Sequence, residues 1–210
     1  MNRAFAGAMT MALTFWLTTP GKQAATPAAQ TAAPSSDTER SESGNLHIAG
    51  GDVVMYRIRL LPVASFPKLP GTVAAELTLH GCMIPQTFEA QQPENVIEGA
   101  FQQAGSSDWA ALCSVSGSTT LYVFFSGEFD RPIALRSQQD TAWLGAEPGS
   151  SVFGSAWGIA TRSAAYLRTA HPLHGDASFD HDGIEDARLE RSETIRYWQQ
   201  SRWLAFDLQN

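Results

Sequence analysis

The sequence predicts an α+β domain: a mostly antiparallel sheet with two or three short helices and one disulfide. Three observations carry that expectation. DWAALCSV, SGST and TLYVFF, running from Asp108 to Phe125, read as two apolar strands joined by a tight turn. SETIRYW and RWLAF, placed around Gln200 and Ser201, read as a second hairpin near the end of the chain. Between a proline and a glycine, PGTVAAELTLHG has helical rather than alternating spacing, and it leads into Cys82, one of only two cysteines.

Taken in order, VVMYRIRL (53–60) has a mixed period and reads either as a strand or as the end of a helix. In the helix that follows, Pro70 suits a first turn, Val73 and Leu77 share a face at i, i+4, and Gly81 is placed to cap the end. IPQTFEAQQPEN is a polar loop and NVIEGAF a strand. In TLYVFF, Leu121, Val123 and Phe125 point one way while Tyr122 and Phe124 point the other. With both faces apolar, this strand belongs inside the sheet. PIALR (132–136) extends the sheet, and the Gly- and Ser-rich stretch 145–158 reads as irregular. TRSAAYLRTAH reads as a helix with Thr161 or Ser163 as N-cap, stopped by Pro172. One reading of the next stretch is a third short helix over Asp182–Leu189, capped by Asp180.

The N-terminal part is a different kind of chain. MNRAFAGAMTMALTFWL carries one early cation, Arg3, and then an apolar run shorter than the roughly 20 residues that span a bilayer. Residues 1–25 therefore read as a secretory signal peptide, with an uncleaved anchor as the alternative. Residues 26–45, rich in Ala, Pro, Ser and Thr, hold no aromatic residue and read as a disordered tether. Residues 46–210 are the size of one domain, and five of the six Trp and nine of the eleven Phe fall in it to supply its core. The expected location is periplasmic or secreted, with no transmembrane span beyond the signal segment.

The formal net charge is −7; loss of residues 1–25 removes Arg3 and Lys22 and no acid, leaving −9. That balance argues against nucleic acid or an anionic membrane as partner, since both demand a basic face. Cys82 and Cys113 stand 31 residues apart, and an exported chain meets oxidising conditions. One disulfide is expected; two buried free thiols are the rival reading. Neither Cys has a His or a second Cys at zinc-ligand spacing.

For chemistry, the densest stretch is HPLHGDASFDHDGIED, residues 171–186. Ser178, Asp180, Asp182, Gly183 and Asp186 fall at positions 1, 3, 5, 6 and 9 of a loop, where alternating oxygens can surround Ca²⁺ and a glycine permits the turn. This resembles the D-x-D-x-D-G-x-x-D calcium loop of FG-GAP repeats, with Ser178 in place of the first Asp and Leu189 where an EF-hand would have Glu. The resemblance implies Ca²⁺ as the cofactor; the other reading is a solvated loop with no cofactor. His171 and His174 form an H-x-x-H pair that, with one carboxylate, would suit zinc instead. The spacing F-x3-G-x2-D occurs at Phe101, Gly105 and Asp108 and again at Phe179, Gly183 and Asp186, either as two decayed hairpins or as a coincidence of common residues.

A second resemblance rests on Gly81, Cys82, Ile84, Pro85 and Gln86, followed by Asp108, Trp109, Ala110, Leu112 and Cys113. Over residues 66–126 the chain is similar to a group of uncharacterised exported bacterial proteins that share these Gly-Cys-x-Ile-Pro-Gln and Asp-Trp-Ala-x-Leu-Cys stretches. That resemblance implies a Cys82–Cys113 pairing and no assigned activity. Trp109 reads as a core aromatic or as a ligand platform. No G-x-S-x-G elbow, H-E-x-x-H helix or phosphate loop is present. The expected function is a non-catalytic binding or interaction module for a protein or small-molecule ligand, contacted through the loops at 86–94 and 140–158. A metal-dependent hydrolase built on 171–186, with Ca²⁺ or Zn²⁺, is the alternative.

Overall fold

β5 (Asp108–Val115) runs through the middle of the molecule, and its alternation organises the layers around it. Trp109, Ala111 and Cys113 face a cluster with Val63, Leu69, Val73, Leu77, Cys82 and Phe124. Ala110 and Leu112 face the opposite way, into a cluster with Phe101, Leu121, Val123, Phe125, Trp157, Ile159 and Ile184. A strand buried on both faces has to be covered on both. The computed structural model describes residues 38–48, 50–170, 179–189 and 191–208.

The strands before β5 are β1 (Arg40–His47), β2 (Val53–Pro62), β3 (Met83–Pro85) and β4 (Val96–Gly99). β6 (Ser118–Phe124), β7 (Ile133–Gln139), β8 (Leu144–Gly145) and β9 (Val152–Ser155) complete a nine-stranded sheet in the order β7-β6-β5-β3-β2-β9-β8, with β1 on β2 and β4 on β5. β10 (Trp157–Arg162), β11 (Gly183–Arg188), β12 (Ser192–Gln199) and β13 (Arg202–Leu208) form a four-stranded antiparallel meander that packs its Trp157, Ile159 and Ile184 face on β5 and β6. α1 (Gly71–Leu79) covers the other face of the large sheet. α2 (Ala164–Ala170) supplies Leu167 to a third cluster with Phe179, Ile195 and Tyr197 on the outer face of the small sheet.

The α+β expectation is corrected by this architecture. Strands hold 50% of the described residues and helices 12%, so the class is mostly β; the sheets are largely antiparallel but mixed, because β2 and β9 pair in parallel at Met55↔Val152 and Tyr56↔Phe153. Three segments account for the difference. Residues 40–45, expected in the tether, lie in β1, which pairs along its whole length with β2 from Arg40↔Leu60 to His47↔Val53. The Gly- and Ser-rich segment 145–158, expected to be irregular, holds β9 and the start of β10. The third short helix over Asp182–Leu189 is instead β11, hydrogen-bonded to β10 on one side and β12 on the other. In each case the strand is set by pairing with a partner, β2 for β1, β2 for β9, and β10 and β12 for β11, which the composition of the segment itself does not carry.

Other elements follow their local chemistry. α1 ends in a Schellman motif: Cys82 N–H donates to Leu77 C=O at 3.0 Å and Gly81 N–H to Thr78 C=O at 2.9 Å, with Gly81 at φ 74°. That turn presents Cys82 to Cys113, and the two form a disulfide with Cα atoms 4.9 Å apart. The β5–β6 turn, Ser116 (φ 51°) and Gly117 (φ 79°), and the β12–β13 turn, Gln200 (φ 51°) and Ser201 (φ 59°), are left-handed at both positions, as two-residue hairpins of right-twisted strands require. Ser163, one of the two expected caps of α2, accepts from Tyr166 N–H at 3.2 Å.

Candidate functional site

Of the calcium-loop residues, Asp180, Asp182 and Asp186 are described, while Ser178 and the pair His171 and His174 lie outside the described residues, as do 1–25 and the tether up to residue 37. The three carboxylates serve separate partners. Asp180 Oδ1 accepts from the Tyr197 hydroxyl at 3.0 Å, and the same hydroxyl accepts from Asp180 N–H. Asp182 Oδ2 accepts from Ala100 N–H, and Asp182 N–H donates to Ala100 C=O, both at 3.0 Å, tying the loop before β11 to the loop after β4. Asp186, 1% exposed, accepts from Trp157 Nε1–H at 2.7 Å on one oxygen and from Arg196 at 2.6 and 2.7 Å on the other, with Arg136 at 3.5 Å. A calcium ion would need those same oxygens turned to one centre. Among the described residues, no group of three or more His, Cys, Asp or Glu side chains is placed to hold a metal.

Asp186 is instead the hub of a polar island between the sheets. β11 turns Ile184 and Asp186 inward, β12 turns Arg196 inward, and β7 sends Arg136 across. The Arg136 guanidinium also lies 4.1 Å over the Trp143 ring. With every acceptor matched to a charged donor or an indole N–H, the island fixes the register of one sheet on the other. His181, buried, stacks on Tyr197 at 4.3 Å, and its Nδ1 is 3.1 Å from Asp182 C=O. On the outer face of the small sheet, Arg162 pairs with Glu185 and reaches Glu193 at 3.8 Å. Burial pushes the Glu185 carboxyl above its ordinary 4.5; Arg162 opposes that and Glu193 adds to it. Tyr197 is pushed up mainly by burial, with its hydrogen bond to Asp180 adding.

The spacing shared by Phe101 and Phe179 does not mark a structural repeat. Gly105 is in a loop at φ 81°, whereas Gly183 is the first residue of β11, at a place where a Cβ would meet Leu167 Cδ1 at 3.1 Å and Arg196 C=O at 3.2 Å. Asp108 accepts from Gln102 N–H and Ser126 N–H, both at 2.7 Å, and from Ser106 Oγ at 2.5 Å, so it organises loops and not a sheet interface.

The loops at 86–94 and 140–158 come together, and they are pinned to each other. Gln86 donates to Glu94 C=O at 3.0 Å and accepts from Glu94 N–H at 2.9 Å. Phe88 N–H donates to Ser155 C=O at 2.8 Å, and the Phe88 side chain fills the space left by Gly145 and Gly154, where a Cβ would lie 2.5 and 2.8 Å from it.

The outward face of α1 is a second exposed surface. α1 turns Val73 and Leu77 inward, both 0% exposed, each such burial contributing about 1.5–3 kcal/mol. Its outward residues include Thr72, Ala75, Thr78 and Leu79, and Leu79 is 80% exposed. The one charge on the helix, Glu76, is paired with His80 at 3.0 Å. Clefts flank this face. One of about 710 Å³ lies between α1 and the short 3-10 turn at Val63–Ser65 with its following residues, lined by Val63, Phe66, Pro67, Leu69, Ala75 and Leu79 among others. A second, about 660 Å³, separates Ala75 and Leu79 from Phe129. A third, about 400 Å³, lies between Phe66, Pro67 and Leu69 on one side and Pro93, Val96 and Trp109 on the other.

Trp109, 7% exposed, lines that third cleft, and its indole nitrogen, like that of Trp203, is buried without a hydrogen-bond partner among the described residues. A buried donor without a partner costs about 1–3 kcal/mol. The Trp109 ring belongs to the α1 cluster, as the core-aromatic reading expects, and it also borders a cleft. The sequence did signal the apolar face, since GTVAAELTL carries only one charge in nine residues, but it did not signal the clefts, which need the 63–69 and 127–130 segments brought alongside. No family model, no curated protein and no solved structure matches this chain.

Proposed function

We propose that this chain is an exported, non-catalytic binding module, periplasmic or secreted, whose contact surface is the outward face of α1 with its flanking clefts. The observation that carries the reading is the outward face of α1, where Leu79 is 80% exposed and the one charge, Glu76, is paired with His80, beside an apolar cleft and a second cleft whose wall also holds Glu76 and Asp130. An apolar surface of this kind on a folded domain marks an interaction site. The Cys82–Cys113 disulfide supports a location outside the reducing cytoplasm, and among the described residues no helix is long and apolar enough to cross a membrane. A net charge of −7 sets the partner apart from nucleic acid.

A photo-crosslinking amino acid at position 79, in the chain expressed in its native envelope, tests the reading. The expected result is a discrete adduct that Ala75→Glu abolishes while the protein stays folded. Absence of any adduct, together with hydrolytic turnover by the purified chain, would overturn it.

A further inference from the structure

The outer face of the small sheet carries three charged side chains beside α2. We infer that Arg162, Glu185 and Glu193 form a proton-operated clasp for that helix: one proton shared between the two carboxyls keeps α2 seated on the sheet, and its loss as pH rises loosens it.

Strand register places the three side chains on one face. Arg162 ends β10 opposite Gly183, Glu185 stands on β11 opposite Ile195, and Glu193 stands on β12 opposite Ala187, a diagonal with Glu185 in the middle. α2 is seated at the same place. Its Leu167 packs with Ile195 and Tyr197, and the Arg162 guanidinium lies 5.0 Å from the centre of the Tyr166 ring. Arg162 is thus the joint between helix and sheet.

The charges at this joint do not balance. Two acids share one guanidinium, and the Glu185 and Glu193 side chains are only 14% and 23% exposed. Arg162 pairs with Glu185, but its Nε is 3.8 Å from Glu193 Oε1, too far for a hydrogen bond. That buried oxygen has no hydrogen-bond partner among the described residues. Two carboxylates this close repel each other when both are ionised, and burial strengthens the repulsion. A protonated Glu185 carboxyl, within hydrogen-bonding reach of Glu193, supplies the missing donor and leaves the triad neutral.

Neighbouring charged and titratable groups are engaged elsewhere. Asp186 is on the opposite face with Arg196, and Asp207 of β13 accepts from Thr194 on that face too. Arg168 of α2 donates to Phe179 C=O, the Tyr197 hydroxyl donates to Asp180, and the exposed Arg191 is in the β11–β12 turn. Burial raises the Glu185 carboxyl above 4.5; Arg162 lowers it and Glu193 raises it further. The seated state therefore holds the proton more tightly than a state with α2 lifted and the carboxyls hydrated. Its advantage is complete below 4.5 and is lost as pH rises through the seated value.

Amide hydrogen exchange on the full chain, at pH 4.5 and at neutrality and corrected for intrinsic rates, tests the clasp. The α2 amides, among them Leu167 N–H bonded to Ser163 C=O, are expected to lose protection at neutrality relative to those of β5. Glu185→Gln donates to Glu193 without titrating, and is expected to keep α2 protected at both pH values. Glu193→Gln removes the like charge and is likewise expected to abolish the pH dependence. In ¹³C carboxyl spectra of the wild type, Glu185 and Glu193 are expected to shift together through the same two steps. The inference is overturned if wild-type α2 protection relative to β5 is the same at both pH values, or if Glu185→Gln follows the wild type. Independent titration of the two carboxyls overturns it as well, and that readout decides should a Gln variant fail to fold.

Discussion

Asp186 shows how much a residue's meaning depends on its neighbours. In the sequence it is the last oxygen of a calcium-like loop; in the fold both its oxygens are engaged by Trp157, Arg196 and Arg136. Asp186→Ala leaves the Arg196 guanidinium, 17% exposed, without its carboxylate. The expected loss is about 3–5 kcal/mol, measured as a lower urea midpoint; a variant as stable as the wild type would contradict the hub. Glu185 next to it gives a pH effect of defined sign. Its carboxyl is raised above 4.5, chiefly by burial, so the folded state holds the proton more tightly than the unfolded state. The group therefore favours folding at pH below 4.5, and that contribution is lost as pH rises through the folded value. Glu185→Gln cannot ionise, and its stability is expected to fall less than that of the wild type between pH 4.5 and neutrality. Denaturation midpoints across that range check it, and parallel curves would count against the assignment.

At the scale of elements, α1 separates what is structural from what is free to bind. Val73 and Leu77 are inside and Leu79 is outside. Leu79→Lys is expected to change stability by no more than about 0.5 kcal/mol in thermal unfolding, because so exposed a side chain has little packing to lose. A large destabilisation would show that Leu79 is part of the core and not of a contact surface. α1 and the β5–β6 and β12–β13 hairpins were legible in the sequence because each is made by local rules: a proline before the helix, a glycine after it, and apolar strands joined by short polar turns. β1 was not legible, since RSESGNLH has Leu46 as its one large apolar residue and becomes a strand only through its register with β2. β11 was missed for the same reason: GIEDAR alternates Ile184 and Asp186 toward the sheet interface, and a carboxylate reads as inward-facing only once Arg196 and Arg136 are in place.

For the whole molecule, the disulfide fastens α1 to the central strand. Its two cysteines stand 31 residues apart and enclose β3 and β4, and the loop-closure entropy removed from the unfolded chain is worth about 3–4 kcal/mol. The Cys82→Ala, Cys113→Ala double variant is expected to lose about that much in urea unfolding, with the two-sheet packing retained because Leu112, Leu121 and Val123 meet Trp157 of the small sheet on the opposite face of the large one. A loss near zero would place the bridge outside the stability of the fold. The candidate site divides along the same line. From the sequence came the cysteine pairing, a short helix between Pro70 and Gly81, and the choice at Trp109 between core and platform, each a matter of local spacing or of composition. The clefts, the unmatched indole N–H and the dispersal of Asp180, Asp182 and Asp186 among different partners were decided only by the tertiary structure. Each depends on which strands and loops, tens of residues apart, are brought together, and spacing along the chain says nothing about which donor will meet an oxygen across a sheet interface.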